Sequence, residues 1–367
     1  VSTTLIVVVS LVSMMIYPVS AVAIVGLAFI VMVVTVAGSW VIFAVAPHEV
    51  KTHRLSRRSA EQAQMELLGV VLITLTGPAF VSAWLLAGLG VGLLLAAFLL
   101  TPVAWLAWQD DRKVDARDRD LPAFLRGLGS VMGAVGTTVA EGLSRLNRRS
   151  LGAMEPHVRR LYVRLANDLP PDLTWARLAG ETGSELVTRC VRIFHDGIRL
   201  GGDAAAVGNL ASAFGQKVAL LRASRALVAN SFAFVVVPMH AALLGIILFV
   251  TEVILIFGAK IGEVQAANLD SEVVREAGVS SAIVFAAPDA AFIRGLVTIS
   301  VLLLTLANSF APYAASGGHK YKFLMYAVVM MLLSGAALIV VPAIVHGLFE
   351  SVAGTTTTPG PAPTPVP

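Results

Sequence analysis

The chain has 367 residues, of which 57% are hydrophobic and only 14% charged, with a formal net charge of +4. Together with a mean hydropathy of +0.81, this excludes a single water-soluble globule, which would have to expose large apolar patches, and predicts a polytopic membrane protein. The lone cysteine, Cys190, excludes an intramolecular disulfide and a cysteine-cluster metal site, and reads as a small apolar packing residue.

Residues 1–46 carry no Lys, Arg, Asp or Glu. As one helix they would measure about 69 Å, twice a hydrocarbon core of about 30 Å, so they are expected to form a transmembrane hairpin broken at Pro18 to Ser20. Its first span is short and is expected to begin upstream of Val1. The stretch lacks a basic start and a small-residue cleavage context and is too long for a secretory signal peptide. Residues 47–66 form a short cytoplasmic segment, with Lys51, Arg54, Arg57 and Arg58 against Glu49, Glu61 and Glu66. A second uncharged transmembrane hairpin covers residues 67–108, with Gly88 and Gly90 marking its turn.

Residues 109–228 hold 18 Lys and Arg against 13 Asp and Glu, and read as a cytoplasmic bundle of about six helices, because apolar positions recur at three- and four-residue spacing. Thr138 and Glu141 fit a capping box. Pro170 and Pro171 stop one helix, and Asp172 is expected to cap the next. Gly180 and Gly183 bound a short helix. Ser184 caps a helix reaching Leu200, Gly201 and Gly202 end it, and Asp203 caps a last helix expected to run nearly straight into the membrane. On the helix from Ser184, Leu186, Val187, Cys190, Ile193, Phe194 and Ile198 trace the apolar stripe, leaving Arg189, Arg192 and Arg199 off it. Gly197 inside this pattern weakens the helix by about 1 kcal/mol relative to alanine.

Residues 229–347 supply three more spans, at 231–257, 292–310 and 323–345, for a total of seven. The intervening 258–290 loop is acidic, with Lys260 and Arg275 against Glu263, Asp270, Glu272, Glu276 and Asp289, whereas the 313–322 turn carries Lys320 and Lys322. Positive loops lie inside, so the bundle is expected to be cytoplasmic, and the acidic loop and the 348–367 Pro/Thr-rich tail external. His240 falls near mid-membrane beside Pro238, where a helix–helix hydrogen bond is the expected role. Glu252 is expected at the far interface.

Three chemistries each lack a required element. The Gly133 to Thr138 stretch has no P-loop lysine, the spans hold no aspartate pair, and no His-Glu-x-x-His pattern occurs. No catalytic residue, cofactor, metal or nucleic-acid partner is expected. A polytopic transporter or receptor with a regulatory helical domain is the alternative, and it would need more ionisable residues at membrane depth than His240.

Five stretches, Leu121-Pro-Ala-Phe-Leu-Arg126, Glu181-Thr-Gly-Ser184, Val191-Arg-Ile-Phe194, Arg199-Leu-Gly-Gly-Asp203 and Arg222-Ala-Ser-Arg225 leading to Pro238-Met-His240, resemble the type II secretion system F family. The likeness is greatest to the platform proteins of archaeal type IV pili and the archaellum. It implies an all-α, non-enzymatic hub in the cell membrane that forms a homodimer among membrane lipids, gathers pilin or archaellin subunits and meets a hexameric secretion ATPase. Candidate docking residues for that ATPase are Arg148, Arg149, Arg159, Arg160, Arg189, Arg192 and Arg199, because a cationic face can steer and orient an acidic rim. Many relatives carry two bundles; here one is found, so a first copy precedes Val1 or the chain is a single-bundle variant.

Overall fold

A computed structural model of the chain describes residues 21–45, 50–53, 59–269, 290–318 and 321–355. Among these the fold is all-helical, with one isolated antiparallel bridge between Thr52 and Ser184. The helices are α1 (Ala21–Val45), α2 (Ala60–Ala87), α3 (Leu89–Val135), α4 (Val139–Arg145), α5 (Glu155–Ala166), α6 (Pro171–Thr182), α7 (Glu185–Arg199), α8 (Ala204–Leu269), α9 (Ala290–Ser316) and α10 (Lys322–Thr355), with a 3₁₀ stretch at Arg148–Met154.

Five of the described helices, α2, α3, α8, α9 and α10, are long and apolar enough to cross a membrane, and α1 contributes a shorter apolar stretch, Met32–Val45. The chain is thus a multi-pass membrane protein by length and composition. Residues 1–20, with the expected Pro18 break, and most of the acidic loop lie outside the described residues, as do Arg54, Arg57, Arg58 and Lys320. Leu67, Val70, Val71 and Leu75 of α2 are exposed, the surface of a helix whose solvent is lipid.

Two helices carry the architecture. The 47-residue α3 and the 66-residue α8 each run unbroken from an apolar stretch into the charged region, so no linker separates bundle from spans. At about 1.5 Å per residue α8 is about 99 Å long. The two run antiparallel and approach closely at Gly129 and Gly208, where a Cβ on Gly129 would lie 2.5 Å from the Ala204 carbonyl oxygen. Only glycine permits that crossing.

Around this pair, Leu121, Phe124, Leu125 and Leu128 of α3 meet Leu161 of α5, Trp175 and Leu178 of α6, and Leu186, Cys190 and Phe194 of α7 in one apolar core. Cys190 is fully buried there, and burial, with the Asp118 charge adding to it, pushes its thiol up to about 12. A second core joins α8 and α9, and a third joins α2, α3 and α10.

Local chemistry sets most of the ends. Thr138 Oγ1 accepts from the Glu141 amide, and Ser184 Oγ from the Val187 amide, as side-chain caps should. Asp203 likewise accepts from the Ala206 amide at 2.8 Å.

Several expected ends differ. Glu141 pairs with Arg145 at 2.5 Å instead of closing the capping box. Pro171 starts α6 at its first position with Pro170 before it, which places Asp172 in the first turn rather than at the cap. Gly180 is buried inside α6, which ends only at Gly183, whose φ of +71° is left-handed. Gly88 alone makes the hairpin turn, because Gly90 is already in α3. Helix α10 continues through residues 348–355, taking in the start of the expected tail.

Candidate functional site

Where the apolar part of α3 ends, Asp111, Asp115 and Asp118 follow at four- and three-residue spacing, which lays them along one helix face. Three like charges in such a row repel unless cations meet them. Lys51 Nζ lies 2.5 Å from Asp111 Oδ1 and 2.7 Å from Asp115 Oδ1, and Lys322 Nζ lies 3.0 Å from Asp111 Oδ2. Burial opposes the charge on Lys51, but the two carboxylates outweigh it and hold the ammonium above its ordinary range. Burial likewise works against an ionised Asp111, yet the two lysines keep its carboxyl below the usual range. One carboxylate row thus ties the segment before α2 and the start of α10 to α3.

Asp118 is the deepest of the row, 3% exposed. Ser184 Oγ donates to its Oδ1, and Arg222 of α8 meets its Oδ2 at 2.5 Å. Burial pushes the Asp118 carboxyl up to about 6, against the pull of the Ser184 hydrogen bond and the Arg222 charge. The same Ser184 hydroxyl caps α7, so α3, α7 and α8 converge on a single carboxylate.

The turn from α6 to α7 is gripped from both sides. Arg117 donates to the Thr182 carbonyl at 2.7 Å, and Gln62 Nε2 reaches both Asp110 Oδ2 at 3.3 Å and the Gly183 carbonyl at 3.4 Å. The Glu185 amide donates to the Lys51 carbonyl at 3.0 Å, and His53 Nε2 contacts the Gly180 carbonyl at 3.0 Å. Arg225, one turn beyond Arg222, donates to the Ala315 and Ala314 carbonyls at 2.9 and 3.1 Å, serving the orphan acceptors at the C-terminus of α9. Charged and polar side chains thus form a collar between the bundle and the apolar helices.

The seven arginines singled out above lie elsewhere. Arg148 and Arg149 open the 3₁₀ stretch, their side chains outside the described residues. Arg159 and Arg160 are exposed on α5, with Arg160 sharing Glu181 with Arg164. Exposed Arg189 pairs with Glu185 at 2.8 Å, and Arg199 lies 3.9 Å from Asp172. Arg159 and Arg192 are exposed and have no ion pair among the described residues. Helices α5 and α7 both pack on α6 but hold these arginines on separate elements. The collar residues were missed by a reading that counted Lys51 and Lys322 as loop charges; the spacing of the three aspartates just past an apolar span was the available signal.

Deeper in the apolar layer, His240 is fully buried and hydrogen-bonded as expected. Asn308 Nδ2 donates to its Nδ1 at 2.9 Å, which leaves Nε2 to donate to Ser334 Oγ at 3.0 Å. Ser334 meets Thr305 Oγ1 at 2.6 Å, and Thr305 donates to the Val301 carbonyl. Helices α8, α9 and α10 are stitched together by this chain of polar groups. Toward the far end, Glu252 lies 3.5 Å from His346. Among the described residues no group of His, Cys, Asp and Glu is arranged to hold a metal ion.

Two curated proteins of the same name are similar to this chain. The chain is 27% identical over 167 residues to Flagella accessory protein J of Methanocaldococcus jannaschii, covering 43% of this chain and 30% of that protein. It is 22% identical over 261 residues to Flagella accessory protein J of Methanococcus voltae, covering 70% and 45% respectively. The chain spans less than half the length of these curated relatives. No protein-family model matches it, and no solved structure matches it.

Proposed function

We propose that this chain is a non-enzymatic membrane platform of an archaellum-like or type IV pilus-like machine, coupling a hexameric secretion ATPase in the cytoplasm to the assembly of pilin or archaellin subunits. The names of its relatives place them among flagellar accessory proteins, which favours an assembly role in an archaeal filament. The observation that carries the coupling is the continuity of α3 and α8 from bundle to membrane, locked together at Asp118 and Arg222. A push on the bundle then reaches the spans through two stiff helices rather than a slack linker. In this reading the bundle is cytoplasmic, the spans number seven, the C-terminus is external and the working unit is a homodimer.

Of the proposed docking arginines, Arg159 and Arg192 lead, because an exposed cation not already engaged by a carboxylate can steer an acidic partner rim. Arg148, Arg149, Arg160, Arg189 and Arg199 complete the set. The test is co-purification of the secretion ATPase encoded by the same organism at low salt. The double variant Arg159→Glu with Arg192→Glu is expected to weaken capture about tenfold while the protein stays folded in the membrane. Capture unchanged by the double reversal would remove this surface from the proposal.

A further inference from the structure

The face of α8 turned away from the rest of the chain is apolar and exposed. Leu220 and Leu221, Leu227 and Val228, and Phe234 and Val235 form three pairs seven residues apart, each side chain 59–81% exposed. Ser224 and Ser231, also exposed and also seven apart, lie along the middle of this face. Arg222, Arg225, Ala229 and His240 occupy the opposite face, which packs on the other helices. A repeat of seven on a helix of 3.6 residues per turn is the pattern that keeps one seam against a second helix wound with it.

Height decides what can cover this seam. On α3 the uncharged stretch ends at Trp108, with Asp110, Asp111, Arg112 and Lys113 beyond it. Asp118 meets Arg222 and the two helices are antiparallel, so Trp108, ten residues before Asp118, is level with about Phe232 of α8. Phe234 and Val235 then lie on the apolar side of that level. Leu227 stands about 8 Å to its watery side and Leu220 about 18 Å. A headgroup layer is about 5–8 Å deep, so Leu220 and Leu221 clear it. A face covered by lipid would turn polar at the headgroups, but this one stays apolar into water, where a patch of that kind marks a contact with protein.

We infer that this seam is the surface on which a second copy of the chain docks, α8 against α8. Two copies in one membrane share an orientation, so a two-fold axis along the membrane normal sets their α8 helices parallel and brings each central residue to its own twin. The leucine, valine and phenylalanine pairs interlock, while the small Ser224 and Ser231 let the two backbones approach. Lys217, seven residues before Ser224, ends the seam, because twin ammonium groups would repel. Helix α3 also runs from the apolar layer into water, but there it exposes Arg112, Lys113, Arg119 and Arg126 and offers no matching apolar face. The inference rests on the homodimer proposed above and assigns its contact to the helix that joins bundle to spans.

Ser224→Cys and Ser231→Cys, each in the full chain, are oxidised in native membranes, where the fully buried Cys190 stays silent. Both are expected to form disulfides between identical chains, because a parallel pair brings twin Cβ atoms into bonding range. Asn230→Cys, about 100° round the helix from Ser231, is expected to cross-link about fivefold less. Leu220→Glu with Leu221→Glu should leave the thermal midpoint in detergent unchanged, since both side chains are exposed in the single chain, and weaken self-association about tenfold by native mass spectrometry. A dimer that survives this double variant, with no cross-link at Ser224→Cys, would put the contact on another face, overturning the inference and leaving the homodimer standing. A chain that is monomeric in membranes and in detergent would overturn both. Cross-links from Ser224→Cys to a different protein alone would also overturn the inference, giving the seam to another partner.

Discussion

Replacing Asp118 tests the collar most directly, because three helices meet on its carboxylate. Asp118→Ala removes the carboxylate that meets the Arg222 guanidinium, only 12% exposed, and that accepts from Ser184 Oγ. Breaking a buried ion pair from one side costs about 3–5 kcal/mol. Asp118→Asn keeps the shape and an acceptor for Ser184 while removing the proton-binding group, which isolates the pH dependence. A carboxyl raised from its ordinary 3.8 to about 6 binds its proton more tightly in the folded state than in the unfolded one. Its contribution is therefore fully present below pH 3.8 and lost as pH rises through about 6. At about 1.4 kcal/mol per pH unit, that is a decline of about 3 kcal/mol across the window. The assay is the thermal midpoint of the full chain in detergent from pH 4 to pH 7.5, compared with Asp118→Asn so that other titrating groups cancel. The wild type should lose stability relative to the variant as pH rises through this window. A difference between the two that stays constant with pH would mean that the Asp118 carboxyl binds its proton no more tightly in the folded chain than in the unfolded one.

Gly208→Ala should destabilise the chain by about 1–3 kcal/mol, because its Cβ would lie 2.8 Å from the Leu125 carbonyl oxygen and 2.9 Å from the Gly129 Cα, both backbone atoms that cannot swing away. Gly245→Ala on the same helix, whose Cβ meets nothing within 4 Å, should leave the thermal midpoint unchanged or slightly raised. Arg225→Ala should free the Ala314 and Ala315 carbonyls at a cost of about 1–3 kcal/mol, seen as faster amide exchange in the last turn of α9 with the bundle core still protected.

The sequence made the helical architecture legible wherever one residue type has one physical use. Uncharged runs of bilayer length are occupied by the apolar parts of α2, α3, α8, α9 and α10, and the caps at Thr138, Ser184 and Asp203 are where a side-chain oxygen next to an apolar run should be. Proline and glycine were harder to place. Pro171 starts α6 because its fixed φ already suits a helix, which displaced the expected cap at Asp172, and Gly180 stays helical because core packing overrides its weak propensity. The collar was not legible, since Lys51, Asp118 and Lys322 are far apart in the chain and only the folded helices bring them together. Periodicity reports which face of a helix is apolar; it does not report which cation meets a carboxylate from another element. His240 was easier, because a polar ring at membrane depth must find a partner, though its link through Ser334 to Thr305 needed three helices in place.

The placement of charge at the joint has a mechanical consequence. Buried ion pairs add little net stability over well-packed apolar residues, and their best-attested use is to fix register. Here Asp118 to Arg222 and Gly129 to Gly208 set the register of α3 against α8 at two points eleven residues apart on α3, about 16 Å along its axis. Sliding α8 by one turn would break the ion pair and drive a side chain into the glycine crossing at once, so the two helices have no smooth path past each other. Motion imposed on the bundle must then either carry both helices as one body into the membrane or separate them entirely. On the platform reading this makes α3 and α8 the arms of a lever, held in register at Asp118 and Arg222.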